Sequence, residues 1–541
     1  MIEISNGCNE FRIFGSPGCG KTTSLTAQIQ ADADTYGEES VLACTLTKAA
    51  AVELGGRNLS LEHCGTLHSI CFRLLGAPPV ADDKKLLVEW NDIHSNYAMT
   101  GSGSSDVDDG GGTVREDATA GDELYQEYQI KRAQMIDRKK WNPGLLNFAE
   151  QWERWKQSKG AVDYTDMIEI PYREKIAPPS AVQVAFMDEA QDMDLLSLSL
   201  FRQWGEQLEH IVFAGDDDQA IYGFRGSDPE AWLGIQIPQD HINIRPQSYR
   251  LPRVIHEAAN RWIEQLTFRQ PKSCLPRHEE GTIRYLSADR NYPEDILPEI
   301  ESFLSAGKTL MVLASCGYML NSLKVVLKSE GIPFHNPWRT KRGDWNPLGF
   351  HRQGVTARER LLAFLAPDQD RTHPTGRMLW TGTEVSQWTN VLKIDGVLNK
   401  NMRTTLEKLE DNNEVTMKDL HLWFQEIALP RALELSLDWF CESLLNSKKK
   451  IYEYPVNVVK KRGAQALIDE PKLTIGTIHS TKGGEADVVI LFPDLPPSAA
   501  EDWVSGDRDA IIRQFYVGMT RAKETLIVCD SANDACVEGL V

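Results

Sequence analysis

Gly15-Ser16-Pro17-Gly18-Cys19-Gly20-Lys21-Thr22 fits the spacing G-x-x-x-x-G-K-[ST] in full. Glycines at these positions let the backbone wrap an anion with its amides turned inward, and the start of a following helix adds a positive dipole. Lys21 has the reach for the β- and γ-phosphates of a nucleoside triphosphate, and the Thr22 hydroxyl suits Mg2+. Taken alone, the motif specifies only that a nucleoside triphosphate binds.

Two further segments could act on such a ligand. Phe186-Met187-Asp188-Glu189-Ala190-Gln191-Asp192 sets two carboxylates at the end of an apolar run. Asp188 at that end can hold Mg2+, directly or through water, while Glu189 beside it can polarise an attacking water. An ordinary strand-to-helix junction also collects acids, but the phosphate loop upstream favours catalysis. Gly215-Asp216-Asp217-Asp218-Gln219 follows the next apolar run, and Gln219 there can hydrogen-bond a γ-phosphate. In Ala220-Ile221-Tyr222-Gly223-Phe224-Arg225-Gly226, aromatics and an arginine lie close enough to stack a base and clasp a phosphate. On their own, Tyr222, Phe224 and Arg225 read as core and surface residues.

Positioning these groups requires short apolar strands alternating with helices, the pattern of a parallel α/β sheet. Strands are expected at 11–14, 41–43, 182–187 and 211–214, and again at 309–313, 487–491 and 525–528. The predicted fold is α/β, with two parallel-sheet units, each interrupted by a mainly helical insertion. The first insertion runs from about 81 to 160 and contains Gly101 to Thr113, a Gly/Ser/Asp-rich stretch expected to be a solvated, flexible loop. The second runs from about 340 to 469 and carries Trp345, Trp380, Trp388, Trp423 and Trp439, which are read as core. Lys448-Lys449-Lys450 and Lys460-Lys461-Arg462 are read as solvated helix ends, with duplex backbone as the alternative contact.

The chain has 541 residues, too many for a single compact core. No stretch has the apolar length that spans a bilayer, and Met1-Ile2-Glu3-Ile4-Ser5 lacks the features of a signal peptide. Ten cysteines without a C-x-x-C pair point to reduced thiols in a cytoplasmic setting, with neither disulfides nor zinc. A formal net charge of −20 argues against bulk attraction to nucleic acid. Any nucleic-acid contact must therefore come from specific motifs and local positive potential.

Those motifs exist, and in order along nearly the whole chain they resemble the superfamily 1A helicases of the UvrD/Rep/PcrA type. Cys44-Thr45-Leu46-Thr47-Lys48-Ala49-Ala50-Ala51 resembles the first DNA-contacting motif of that family, and Gly65-Thr66-Leu67-His68-Ser69-Ile70-Cys71 the next. Ser248-Tyr249-Arg250 matches the motif whose tyrosine stacks on adenine and whose arginine touches the γ-phosphate. Thr477-Ile478-His479-Ser480-Thr481-Lys482-Gly483-Gly484-Glu485 resembles the motif joining DNA to nucleotide, its glutamate on the ribose. Phe515-Tyr516-Val517-Gly518-Met519-Thr520-Arg521-Ala522-Lys523 matches the last motif, whose arginine is the finger.

The resemblance implies a RecA-like motor domain from 1–80 and 161–260, a second from 261–339 and 470–541, and insertions at 81–160 and 340–469. It assigns catalysis to Lys21, Asp188, Glu189, Gln219, Arg250 and Arg521. Nucleotide contacts fall to Gly15, Ser16, Pro17, Gly18, Cys19, Gly20, Lys21, Thr22, Thr23, Tyr249 and Glu485, with Mg2+ on Thr22 and Asp188. Nucleic-acid contacts fall to Thr45, Thr66, His68, Tyr222, Phe224, Arg225 and His479. ATP would lie between the two units, with Arg250 and Arg521 reaching in from the second unit and its approach. The implied activity is 3′–5′ movement on single-stranded DNA with unwinding at duplex junctions, by a monomer or weak oligomer. A translocase that remodels protein–DNA complexes without efficient unwinding is the alternative. The end at Val541, soon after the last motif, speaks against an appended nuclease. The sequence departs from the family at Thr23, at Leu46, at Gly484 and in lacking a glutamine before the first strand.

Overall fold

The computed structural model describes residues 9–45, 63–101, 119–340, 342–349, 354–365, 380–410 and 415–540. The solvated loop expected at 101–113 and the segment Leu46–Ala51 fall almost wholly outside these residues. The chain forms two compact units, one of Met1–Arg284, Pro493–Val528 and Asn533–Val541, the other of Tyr285–Phe492 and Cys529–Ala532. No helix among the described residues is long and apolar enough to cross a membrane. No disulfide joins the described cysteines.

The first unit is built on a six-stranded sheet. Its strands are β1 (Glu10–Gly15), β2 (Val41–Thr45), β3 (Cys64–Thr66), β4 (Val184–Met187), β5 (His210–Gly215) and β6 (Ile242–Arg245), in the order β3-β2-β4-β5-β1-β6. All of its pairings are parallel, with Phe14 opposite Gly215 and Met187 opposite Phe213. Parallel pairing places every strand's carboxyl end on one edge. The segments after β1, β4 and β5 therefore emerge side by side, where ligands of open α/β sheets bind.

Alternation along the strands splits the core into two layers. Ile13, Val41, Ala43, Val184, Phe186, Val212 and Ala214 face the helix Lys21–Tyr36 through Leu25 and Ile29. Phe14, Leu42, Cys44, Ala185, Met187, Ile211 and Phe213 pack the other face with Leu200, Phe201, Trp204 and Trp232. Between β3 and β4 the chain makes the helices Lys84–Ile93, Ala120–Ala133 and Pro143–Lys159, around a separate aromatic core of Trp90, Tyr128, Phe148, Trp152 and Trp155.

The second unit carries three parallel strands, β7 (Leu310–Ala314), β8 (Leu473–Thr477) and β9 (Ala486–Leu491), with β7 in the middle. Between β7 and β8 the expected helical insertion is present, including Ala357–Leu365, Gly382–Thr389, Leu437–Ser443 and Asn446–Arg462. Trp345, Trp380, Trp388, Trp423 and Trp439 are all buried, as core residues. Trp388 packs against Phe364, Trp380 and Phe424 at ring-centre distances of 5.3, 5.0 and 5.4 Å.

The two basic clusters lie at opposite ends of the helix Asn446–Arg462. Lys448 and Lys449 stand in the first turn and Lys450 just after it, at the end where the helix dipole disfavours cations. The three at the last turn pair with acids: Lys460 with Asp438 at 2.7 Å, Lys461 with Glu330 at 2.6 Å and Arg462 with Glu301 at 2.8 Å.

Candidate active site

The loop after β1 is shaped for a phosphate. Gly18 and Gly20 have φ of 73° and 77°, the left-handed region that glycine enters without penalty. Gly20 is the N-cap of the helix Lys21–Tyr36, so no side chain caps the first helical amides, and no acid stands in its first turn. The helix N-terminus is thus positive and open to an anion. Lys21 Nζ folds back across the loop and donates to the Gly15 carbonyl at 2.8 Å. Ser16 and Cys19 are buried within the loop. Thr23, next along the helix, is exposed.

Tyr249 and Arg250 lie against this loop. Tyr249 N–H donates to Gly18 O at 2.9 Å, and Ser248 Oγ donates to Pro17 O at 2.7 Å. Tyr249 is 68% exposed, which leaves it open to stacking on a planar base. A Cβ on Gly18 would lie 2.4 Å from Arg250 Cβ and 3.0 Å from Arg250 N. Gly18→Ala is therefore expected to weaken binding of a fluorescent nucleoside triphosphate by about tenfold or more, the equivalent of 1.4 kcal/mol. Unchanged affinity in a titration would refute this packing.

Thr22 Oγ1 donates to Asp188 Oδ2 at 3.0 Å, joining the start of the helix to the end of β4. Burial, then the charge of Glu189, pushes the Asp188 carboxyl up to about 6, against the hydrogen bond from Thr22. Two hard oxygen donors beside a crowded carboxylate pair fit a divalent cation such as Mg2+. Glu189 is half-buried and held at φ 57°, an uncommon conformation for a side-chain-bearing residue.

Gln219 follows β5 and is spanned at both ends of its amide. Nε2 donates to Asp216 Oδ2 at 2.6 Å, and Oε1 accepts from Arg521 Nη2 at 2.8 Å. Arg521 is 1% exposed, and its Nε donates to Val517 O at 3.0 Å. The structure thus gathers the phosphate loop, Asp188, Glu189, Gln219, Tyr249, Arg250 and Arg521 within the first unit.

A set of cations unmarked by the sequence motifs locks this region. Lys272 Nζ pairs with Asp216 at 2.8 Å and Asp218 at 3.0 Å, and also with Asp217. Arg269 adds a two-pronged contact to Asp218 at 2.9 and 2.5 Å, and Arg513 Nε donates to Asp217 O at 3.1 Å. Burial opposes the charge on Asp216, but Lys272 outweighs it and holds that carboxyl below its ordinary range. The three aspartates have oxygens close enough to cage a metal, yet the Lys272 ammonium fills that role. Gln191, buried at 0% exposure, is the other residue without a predicted role; its place inside the acidic segment was its only signal.

The expected nucleic-acid residues divide between the units. Thr45 is buried at the end of β2, and Thr66 caps the helix Leu67–Leu74 by accepting from Ser69 N–H at 3.2 Å. His68 tilts against Tyr164 at a ring-centre distance of 6.0 Å, and burial lowers its imidazole to about 4, so it is neutral. Tyr222 and Phe224 meet edge to face at 5.9 Å, with the Arg225 guanidinium over both rings at 5.2 and 5.8 Å. His479 (buried) and Glu485 (exposed) belong to the second unit, in the turn between β8 and β9. A Cβ on Gly484 would lie 2.3 Å from the Trp338 ring, which occupies the space an apolar side chain would take.

Known proteins share this pattern. A model described as the UvrD/REP helicase N-terminal domain matches residues 3–237, and one described as the UvrD-like helicase C-terminal domain matches residues 398–533. The putative ATP-dependent DNA helicase YjcD of Bacillus subtilis is 24% identical over 589 residues, covering 96% of this chain and 77% of YjcD. The ATP-dependent DNA helicase PcrA of Staphylococcus epidermidis is 24% identical over 353 residues, 60% of this chain and 48% of PcrA. PcrA of Staphylococcus aureus gives 24% over 350 residues with the same coverage. The chain spans about half the length of these PcrA proteins. Matched by a model in each half, and carrying the phosphate loop, the Asp188–Glu189 pair, Gln219 and the buried Arg521 in one unit, this chain belongs to the UvrD/Rep helicase family.

Proposed function

We propose that this protein is an ATP-driven motor that moves 3′ to 5′ along single-stranded DNA and opens duplex at junctions. The observation that carries the reading is that Lys21, Glu189 and Gln219 follow adjacent strands at one sheet edge, with Arg521 bonded to Gln219 and an exposed Tyr249 beside the phosphate loop. In this reading Lys21 and the loop amides bind the β- and γ-phosphates, and Tyr249 stacks on the base. Bound Mg2+, held by Thr22 and Asp188, supplies charge neutralisation of the phosphate oxygens. Glu189 orients the attacking water and accepts its proton, while Arg250 and Arg521 stabilise the charge developing on the transferred phosphoryl group. Names of the relatives, which describe ATP-dependent DNA helicases, point the same way.

The test is ATP hydrolysis with and without single-stranded DNA, with Glu189→Gln alongside. Strong stimulation by DNA that vanishes in the variant is expected, and duplexes with 3′ or 5′ tails then report polarity. Stimulated hydrolysis without strand separation would point instead to a translocase that remodels protein–DNA complexes. No stimulation by DNA or RNA would overturn the motor.

A further inference from the structure

Gln191 is fully buried, and both ends of its side-chain amide are committed. Its Nε2 donates to the Glu189 carboxylate, and its Oε1 accepts the backbone N–H of Asp216 at 3.0 Å. The β5 end is shaped to receive it. A Cβ on Gly215 would lie 2.5 Å from Gln191 Oε1 and 2.8 Å from the Trp232 ring, so only glycine leaves room for the amide. Asp216, the anchor, is itself clamped by Lys272 at 2.8 Å and by Gln219 at 2.6 Å. Glu189 meanwhile sits on a left-handed backbone at φ 57°.

We propose that Gln191 is a positioning residue for Glu189, aiming its carboxylate from an anchor on the backbone of β5. The inference rests on the proposed role of Glu189 in hydrolysis. An amide is the right group chemically, because it donates to a carboxylate at one end and accepts from a peptide N–H at the other. Glutamate at this position would keep the shape and the acceptor but set a second carboxylate against Glu189. An error of about 1 Å in aiming a reacting group costs on the order of a hundredfold in rate. Phosphate binding, by contrast, depends on the loop after β1 and is untouched by Gln191. The same chain continues through Gln219 to Arg521, so the two sides of the γ-phosphate site share one buried scaffold.

The experiment uses the full chain with saturating single-stranded DNA, measuring kcat, KM for ATP and thermal unfolding. Gln191→Glu and Gln191→Ala are expected to lower kcat on the order of a hundredfold with KM within about twofold. Gly215→Ala, which displaces the amide, is expected to reproduce the effect. In a Glu189→Gln background, followed by single-turnover hydrolysis, Gln191→Ala is expected to cost nothing further, because its partner is already disabled. A wild-type rate in Gln191→Glu, or an equal fractional loss in the Glu189→Gln background, overturns the proposal. If Gln191→Ala unfolds, the near-isosteric Gln191→Glu decides. A wild-type chain that hydrolyses no ATP overturns the motor reading and this inference with it, whereas an active wild type with an active Gln191→Glu overturns the inference alone.

Discussion

Arg521→Lys is expected to lower the steady-state rate of DNA-stimulated ATP hydrolysis by about 10³-fold or more, with nucleotide affinity changed only a few-fold. The charge survives in that variant, so the effect isolates geometry. Arg521 is 1% exposed, and its guanidinium is oriented by Val517 O at 3.0 Å and Gln219 Oε1 at 2.8 Å. A planar fork can keep those contacts and still present further N–H groups to a phosphoryl oxygen, whereas an ammonium on a flexible stem cannot hold the same alignment. Burial strengthens the contribution, since a charge in low dielectric acts on developing negative charge with little screening. Gln219 also loses its partner in the variant, so thermal unfolding must be measured beside kcat. A near-normal rate in a folded Arg521→Lys protein would remove Arg521 from the hydrolytic step.

Much of this site was legible in the sequence because its chemistry lies in contiguous segments at strand ends. The phosphate loop after β1, Asp188 after β4 and Gln219 after β5 each follow an apolar run long enough to read as a strand, and the parallel sheet then brings them to one edge. The tryptophans of the second insertion were legible for a similar reason, since large rings in helical stretches belong to a core. Short strands were not legible: Cys64–Thr66 has three residues and contains glycine, and Ile242–Arg245 mixes apolar and polar positions. Nor were the clamps. Lys272, Arg269 and Arg513 reach the aspartates after β5 from other segments of the chain, and a lone lysine or arginine in a sequence reads as surface. Glu10, buried at the start of β1 between Arg12 at 2.7 Å and Arg202 at 2.9 Å, is the same problem inside the sheet. A buried charge is recognisable only once its partner's place in the fold is known.

Arg132→Met is expected to be the most destabilising single change in the first insertion, at about 3–5 kcal/mol, because it strips the main cation from a buried acidic cluster. Arg132 closes the helix Ala120–Ala133 and binds Asp163 at 3.1 Å, Asp166 at 2.5 Å and also Glu169. Asp163 has 0% exposure and begins the helix Tyr164–Arg173, whose Met167 and Ile168 pack into the sheet core. The cluster therefore joins the insertion's aromatic core to the sheet. Trp152 Nε1, at 3.0 Å, and Lys156 Nζ, at 2.5 Å, complete the shell around Asp163. In the variant, three carboxylates are left with Lys156 as the remaining cation of the cluster. Burial alone would raise the Asp163 carboxyl, but Arg132 and then Lys156 hold it well below the usual carboxylate range. A carboxyl depressed in the fold contributes stability above its unfolded pKa of about 3.9, and that stability is lost as pH falls below it. Without Arg132 the depression shrinks, so protonation removes less stability from the variant than from the wild type. The difference in unfolding temperature between the two should accordingly stay constant from pH 8 to about pH 4 and narrow as the pH falls further, toward about 2. A gap that stays constant below about pH 4 as well would assign the cost to lost packing against Tyr128, over whose ring the guanidinium lies at 4.7 Å, and not to charge.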